Sequence, residues 1–380
     1  MHMRKYIAIF LAAGVLSVAA VVRAADNPVP DGYLQVRSLI HLDSSVSGGE
    51  NDPETLAAIA RNAGADAAFI TDHDTQKVTL GIWPLRNILK VSVTRPSIRT
   101  YGIEKYLKYI RDINSRTSGC IMIPGVEAVP YYSWERQWNG PLTLANLHRH
   151  ILVLGLDKAD DIAHLPSLET GFSSSYTRES MFGLVWLLPF IAALFIVTLP
   201  REKEPFETLA AAIIHSTISR VAAFSVMGMS VLFLVNAYPF REPLVSQYGP
   251  DKKKVPYQEL IDYVNARGGL TFWAHPEAEY SGQFGSETGS PLTDSVLKFV
   301  GSGGIRIKTE PYFPLLNDTY GYTGFAVFYE GYRVVGKPEG LWDMLLMQYC
   351  TGRREHPVWA ISELELESGT DPVTASDNQT

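Results

Sequence analysis

Two stretches without a single charge, Met181 to Leu199 and Val221 to Phe240, interrupt a chain that is otherwise mixed in pattern. At 1.5 Å rise per residue, each is long enough to cross a hydrocarbon core of about 30 Å. They predict a transmembrane helical hairpin over residues 179–241; a hairpin buried in a soluble domain is the alternative. Pro189 is tolerable in such a helix. Trp186 and Tyr238 suit the membrane interfaces, and Gly228 with the serines would let the two helices approach closely. A third uncharged run, Tyr6 to Val22, comes after Arg4 and Lys5 and ends in Val22-Arg23-Ala24-Ala25, whose small residues fit a signal-peptidase site. Residues 1–25 therefore read as a signal peptide or as an uncleaved anchor, and both place the downstream domain across the membrane. Arg201, Lys203 and Arg220 lie between the two later runs, and Arg178, Arg241 and Lys252 to Lys254 lie outside them. Basic residues thus do not decide orientation; the amino-terminal signal does.

A chain of 380 residues with 46% hydrophobic content can bury the core of one large barrel or of two ordinary domains. The net charge of −7 and the lack of a basic stripe with interleaved aromatics argue against a nucleic-acid partner. Cys120 and Cys350 are too few for a disulfide framework or a thiolate metal site, and two buried free thiols are expected.

Outside the apolar runs, β-rich and helical segments alternate, the pattern of parallel strands joined by crossover helices. Strands are expected at Leu34 to His41, Ala67 to Thr71, Cys120 to Val126, Arg149 to Leu156, Leu270 to Ala274, Gly304 to Lys308, Phe325 to Phe328 and Val358 to Ile361. The clearest helix opens at Asn51-Asp52-Pro53-Glu54, where a capping side chain precedes proline, and stops at Gly64. Others are expected over Ile103 to Arg116, Tyr257 to Arg267 and Leu341 to Tyr349. The pattern implies a barrel in two parts, residues 26–178 and 242–367, with 368–380 as a disordered tail.

Metal-type side chains cluster at the strand ends, where the loops of a β/α barrel form its open face. His41 and Asp43 end the first strand and project to one side. Asp72 and His73 end the second, Glu127 follows the third in Pro124-Gly125-Val126-Glu127, His148 and His150 begin the fourth, and His275 ends the fifth. Imidazole with carboxylate is the ligand set of Zn, Mn or Fe. The expected ligands fall on both sides of the hairpin, so an even number of crossings must separate them, and two uncharged runs are found between them.

In these elements the chain resembles the polymerase and histidinol phosphatase (PHP) superfamily over roughly residues 33 to 175 and 255 to 367. The resemblance rests on Thr71-Asp72-His73-Asp74, Pro124-Gly125-Val126-Glu127 and Ala274-His275-Pro276, in that order. It implies an α/β fold, a distorted seven-stranded (β/α) barrel of PHP type interrupted by the two-helix transmembrane insertion. It also implies metal binding by His41, His73, Glu127, His150 and His275, with two or three ions and phosphate-ester hydrolysis. The family's opening His-x-His is here His41-Leu42-Asp43, so a carboxylate replaces one imidazole and Asp43 joins the ligand set. Its closing Asp-x-His is replaced by Ser362-Glu363-Leu364-Glu365-Leu366-Glu367, from which either Glu363 with Glu365 or Glu365 with Glu367 would ligate. Such an oxygen-rich site shifts preference from zinc towards manganese, magnesium or ferrous iron, with one to three ions held.

The expected function is a membrane-tethered metal-dependent hydrolase, a phosphoesterase using metal-activated water on a small phosphorylated substrate, with the barrel on the periplasmic or extracellular side of the bilayer. Asp72 or Asp43 would shuttle the proton. Tyr132, Trp134 and Arg136, from the aromatic loop Tyr131 to Trp138, would contact the substrate. Two readings compete with it. One is a degenerate barrel acting as a binding or scaffold module of the cell envelope; the other is hydrolysis of an amide or lactone by the same activated water.

Overall fold

A computed structural model describes residues 34–136, 140–198, 209–249, 254–284, 295, 304–328 and 331–363. The leader at 1–25, Trp138, Glu365, Glu367 and the tail at 368–380 lie outside the described residues. The chain divides into Met1–Arg37 and Ser38–Thr380, and every strand and helix named below belongs to the second unit.

Its strands, in chain order, are β1 (Ser38–Leu42), β2 (Ala67–Ile70), β3 (Lys77–Gly81), β4 (Lys90–Thr94), β5 (Ile121–Ala128), β6 (Ser133–Arg136), β7 (Leu142–Ala145), β8 (Ile151–Leu154), β9 (Ser174–Ser175), β10 (Glu242–Pro243), β11 (Leu270–Trp273), β12 (Tyr280–Gln283), β13 (Ile305–Thr309), β14 (Gly324–Phe328) and β15 (Trp359–Ser362). Seven of them form one nearly closed, barrel-like sheet in the order β1-β2-β5-β8-β11-β14-β15. The fold is a distorted seven-stranded β/α barrel. Six strands run the same way, while β8 is antiparallel to both neighbours. The sequence pattern of parallel strands does not foresee that reversal. It puts the start of β8 beside the ends of the others, so that His150 faces their mouth.

The expected strand Gly304 to Lys308 belongs elsewhere. As β13 it joins a second sheet, β12-β13-β7-β6. The reason is its alternation: Ile305, Ile307 and Thr309 are buried, while Arg306 and Lys308 are exposed. That is the signature of a sheet wetted on one face, whereas all four residues of β8 are buried, as in a strand covered on both faces. Strands β3 and β4 form a separate antiparallel hairpin.

Helix Pro53–Asn62 begins as its sequence predicts, with Asp52 accepting from Thr55 N at 2.7 Å and proline in the first turn. Helix Ile103–Arg116 buries Tyr106, Leu107, Ile110 and Ile113. The Tyr106 hydroxyl reaches Ile70 O at 3.0 Å and Gly125 O at 3.1 Å, bracing β2 against β5 just below the site. Trp273, Tyr257, Tyr312 and Phe325 fill the centre of the core. Cys120 is buried as expected; Cys350 is exposed, because it ends helix Leu341–Cys350 on the outer surface.

The insertion leaves the barrel through the two-residue ribbon β9/β10, in which Ser175 pairs with Glu242. Two helical stretches, Arg178–Thr198 and Thr217–Ala237, have mean hydropathies of 2.4 and 1.9, and only 6% and 11% of their most apolar windows is buried. They pack on each other, with Trp186 stacked on Phe233 at 4.1 Å and Ala193, Ala223 and Ser230 buried. Gly228 does not mediate this approach, since a Cβ added there meets nothing within 4 Å. The close contact is at Gly183 instead, where a Cβ would come within 2.5 Å of Ala237 Cβ. Trp186 stacks in the helix pair near its base, and Tyr238 is exposed.

Candidate metal centre

Glu127 is the hub. It lies in the wholly buried stretch Gly125 to Ala128 of β5, and four imidazoles from four other chain segments surround its carboxylate. His41 Nε2 is 3.3 Å from Oε1 and His73 Nδ1 is 3.2 Å from Oε2. His150 Nδ1 is in contact with Oε1, and His275 Nε2 stands 3.6 Å from the same oxygen. Two ligand sets share this carboxylate, His73 with Glu127 and His150, and His41 with Asp43 and Glu127. Within each set the candidate ligand atoms lie within 4.8 Å of one another.

Local backbone distortion aims these groups. His41 has φ +71° at an irregularity of the β1/β2 register, and His275 has φ +25° where β11 ends. Residues outside the favoured regions cost roughly 1–3 kcal/mol and persist where the surroundings over-determine them. Their rings stack with centroids 6.2 Å apart.

A surrounding shell fixes which ring nitrogen faces inward. Tyr312 donates its single hydroxyl proton to Ala274 O, so its oxygen accepts from His275 Nδ1 at 3.0 Å, which leaves Nε2 of His275 as the acceptor facing Glu127. Glu363 does the same for His41: its Oε2 is 2.9 Å from Nδ1, while Oε1 takes the backbone N–H of His275 at 3.0 Å. His150 Nε2 is 3.2 Å from Leu147 O, leaving Nδ1 for the centre.

The residues fit a divalent cation. His41 Nε2 and His73 Nδ1 are buried beside Glu127 without a properly angled hydrogen bond, as expected of lone pairs directed at an ion. Electrostatics agree. Burial alone would raise the Glu127 carboxyl, yet His150, His73 and His41 hold it well below the usual range. Burial and the neighbouring imidazoles lower His73 to about 4, leaving it a neutral donor. Burial opposes the charge on His41, but Glu127 and Glu363 outweigh it and raise that imidazole well above its ordinary value.

The other expected residues take distinct places. Asp72 is fully buried and its carboxylate accepts from Ser44 N (2.9 Å), Ser44 Oγ (2.7 Å) and Ser47 Oγ (2.6 Å), pinning the loop after β1. Burial raises its pKa against those donors. Gly49 closes that loop so tightly that a Cβ would lie 2.3 Å from Asp43 O. Tyr132 and Trp134 are buried, and their polar ends are spent on Thr79: Tyr132 accepts from Thr79 N at 2.7 Å, and Trp134 Nε1 donates to Thr79 O at 2.9 Å. They hold the β3/β4 hairpin against the second sheet. Arg136 is exposed at the far end of β6.

Tyr312 belongs to the surroundings of the site, although sequence reasoning gives it no role, and His148, one of the metal-type residues expected at a strand end, stands beside the ligand sets. The His148 ring lies 5.9 Å from that of His150 and 4.4 Å from that of Tyr280. Its position two residues before His150 is the available signal. Tyr312 offers none, since it arrives from the segment after β13.

No family model and no curated protein matches the sequence. Among solved structures, the chain is similar to a proposed metal-dependent phosphoesterase from Bifidobacterium adolescentis, at 16% identity and a TM-score of 0.33, over 91% of this chain and 92% of that one. It is also similar to an amidohydrolase from Chromobacterium violaceum with bound sulfate and no metal, at 15% identity and a TM-score of 0.32, over 89% of each chain.

Proposed function

We propose that the protein is a membrane-tethered, metal-dependent hydrolase, and specifically a phosphoesterase acting on a small phosphorylated substrate. The observation that carries this reading is the convergence of His41, His73, His150 and His275 on the single buried carboxylate of Glu127. Imidazole and carboxylate donors that converge in this way suit a divalent cation. The preference for a phosphate ester rests on the sequence resemblance.

His41, Asp43, His73, Glu127, His150 and His275 would hold one or two divalent ions, of which manganese, magnesium, iron and zinc suit a mixed imidazole and carboxylate set. A bound ion supplies a Lewis acid and a water of lowered pKa. The chain's own groups do the rest. Glu127 neutralises both ligand sets; Glu363 and Tyr312 keep His41 and His275 in the donor tautomer. Asp43, beside His41, takes the proton from the attacking water, while Asp72 keeps the Ser44 to Gly49 loop, and hence Asp43, in place. Apolar helices that no other part of the described residues covers support insertion into a bilayer, with the barrel held outside it.

Metal analysis of the detergent-purified chain, joined to phosphate-release and amide-hydrolysis screens, tests this reading with His73→Ala as control. Bound metal with phosphate release lost in the variant is the expected result. Absence of metal after manganese loading would favour the scaffold reading, and turnover of amides alone would move the assignment to that chemistry.

A further inference from the structure

We propose that the tip of the β3/β4 hairpin, residues 82–89, is a second membrane-contact site that rests on the headgroup layer beside the helical pair. This inference rests on the membrane reading of those helices and extends it to a part of the barrel that carries no apolar helix.

The first ground is position. Asn236, one residue from the end of the second apolar helix, grips the tip through both its side chain and its backbone. Asn87 N donates to Asn236 Oδ1 at 3.0 Å, and Asn87 Nδ2 donates to Asn236 O at 2.7 Å. Where that helix leaves the hydrocarbon, the tip is therefore at the same level. Tyr248, just beyond the ribbon, secures it further by accepting from Gly81 N and by stacking under the Arg86 guanidinium at 4.0 Å.

The second ground is composition. The tip reads Ile82-Trp83-Pro84-Leu85-Arg86-Asn87-Ile88-Leu89, unusually apolar for a loop in water, and Trp83 is 76% exposed. No acidic residue occurs between Asp74 and Glu104, while Arg86 lies in the tip and Lys90 directly follows it, in a chain whose net charge is −7. Indole with flanking cations is the combination that settles among lipid headgroups, and basic groups at that depth favour anionic lipid. The third ground is continuity. Tyr176, Phe182 and Tyr238 are likewise exposed around the base of the helical pair, with Arg241 over the Tyr176 ring at 4.7 Å. Trp83 extends that aromatic belt across to the barrel.

The test uses the full chain in lipid nanodiscs containing anionic phosphatidylglycerol. Cys350→Ser removes the exposed thiol, and single sites for a fluorescent label are made by Trp83→Cys at the tip, Val226→Cys in the middle of the second helix and Asp157→Cys on the opposite end of the barrel. Each is quenched by lipids bearing a nitroxide either at the headgroup or in mid-chain. The expected result is that position 83 loses most of its fluorescence to the headgroup nitroxide, position 226 to the mid-chain nitroxide, and position 157 to neither. Quenching at 226 with none at 83 would overturn this proposal and leave the membrane reading standing. No quenching at 226 would remove the membrane reading itself, and the contact site with it. Trp83 is exposed, so its replacement leaves the fold intact.

Discussion

At the scale of the residue, Glu127 carries more of the site than any other side chain. Glu127→Gln keeps the shape but removes the charge that faces four imidazoles, and bound metal is expected to fall below stoichiometric levels by elemental analysis, while circular dichroism stays close to that of the parent. Asp72→Ala leaves Ser44 N, Ser44 Oγ and Ser47 Oγ without their acceptor. An unmatched buried group costs about 1–3 kcal/mol, so a lower melting point accompanied by slower turnover is expected. The metal-free protein should also depend on pH. Burial, then the neighbouring imidazoles, lower His73 to about 4 and His148 to about 3, both from an ordinary 6.5, while burial raises Asp74 to about 6 against the pull of Arg99. At pH 5 the unfolded chain binds two protons on those histidines and none on Asp74; the folded chain binds none and one. For these three groups the difference, 2 − 1 = 1 proton in favour of the unfolded state, contributes a rise of stability with pH of about 1.4 kcal/mol per unit between roughly pH 4 and 6. Thermal melts of chelator-treated protein check it, and a midpoint that is flat or falling with pH would refute it. Histidines and acids at strand ends were legible in the sequence, because ligand chemistry restricts residue type. The orienting role of Tyr312 was not, since hydrogen bonds between distant segments leave no local pattern.

At the scale of the element, periodicity and capping carry over well: helix Pro53–Asn62 starts at its capping aspartate, and the barrel strands lie close to their expected places. Two things escaped. The reversal of β8 depends on how its connection folds, and short apolar runs read alike in either direction. Strand β6 sits in a stretch read as an aromatic loop, where Tyr132 and Trp134 hold the β3/β4 hairpin through Thr79. The helical pair shows why composition alone misplaces a contact: of two glycines, only Gly183 lies against the partner helix. Gly183→Leu should therefore separate the helices and lower the melting point in detergent, whereas Gly228→Leu should leave it almost unchanged. Equal effects would show that the packing is not as described.

At the scale of the whole molecule, the ribbon β9/β10 brings the two ends of the insertion side by side, with Ser175 opposite Glu242. Replacing residues 176–241 by a two-residue turn should give a barrel that stays in solution without detergent and still binds metal, checked by size-exclusion chromatography with elemental analysis. Loss of metal on excision would mean that the helices shape the site as well as tether it. The sequence disclosed this separability through the parity of its crossings, although it gave no hint that Asn87 and Asn236 clasp the barrel to the helix end. On the proposed membrane contact, that clasp would act as a spacer. Strand β3 climbs five residues from Lys77, close behind His73, to Gly81 at the foot of the tip, roughly 15 Å at the usual rise. On the proposed contact of Trp83 with the lipid surface, this length of strand would set the cluster around Glu127 back from the lipid phosphates and leave it to molecules that stand clear of them.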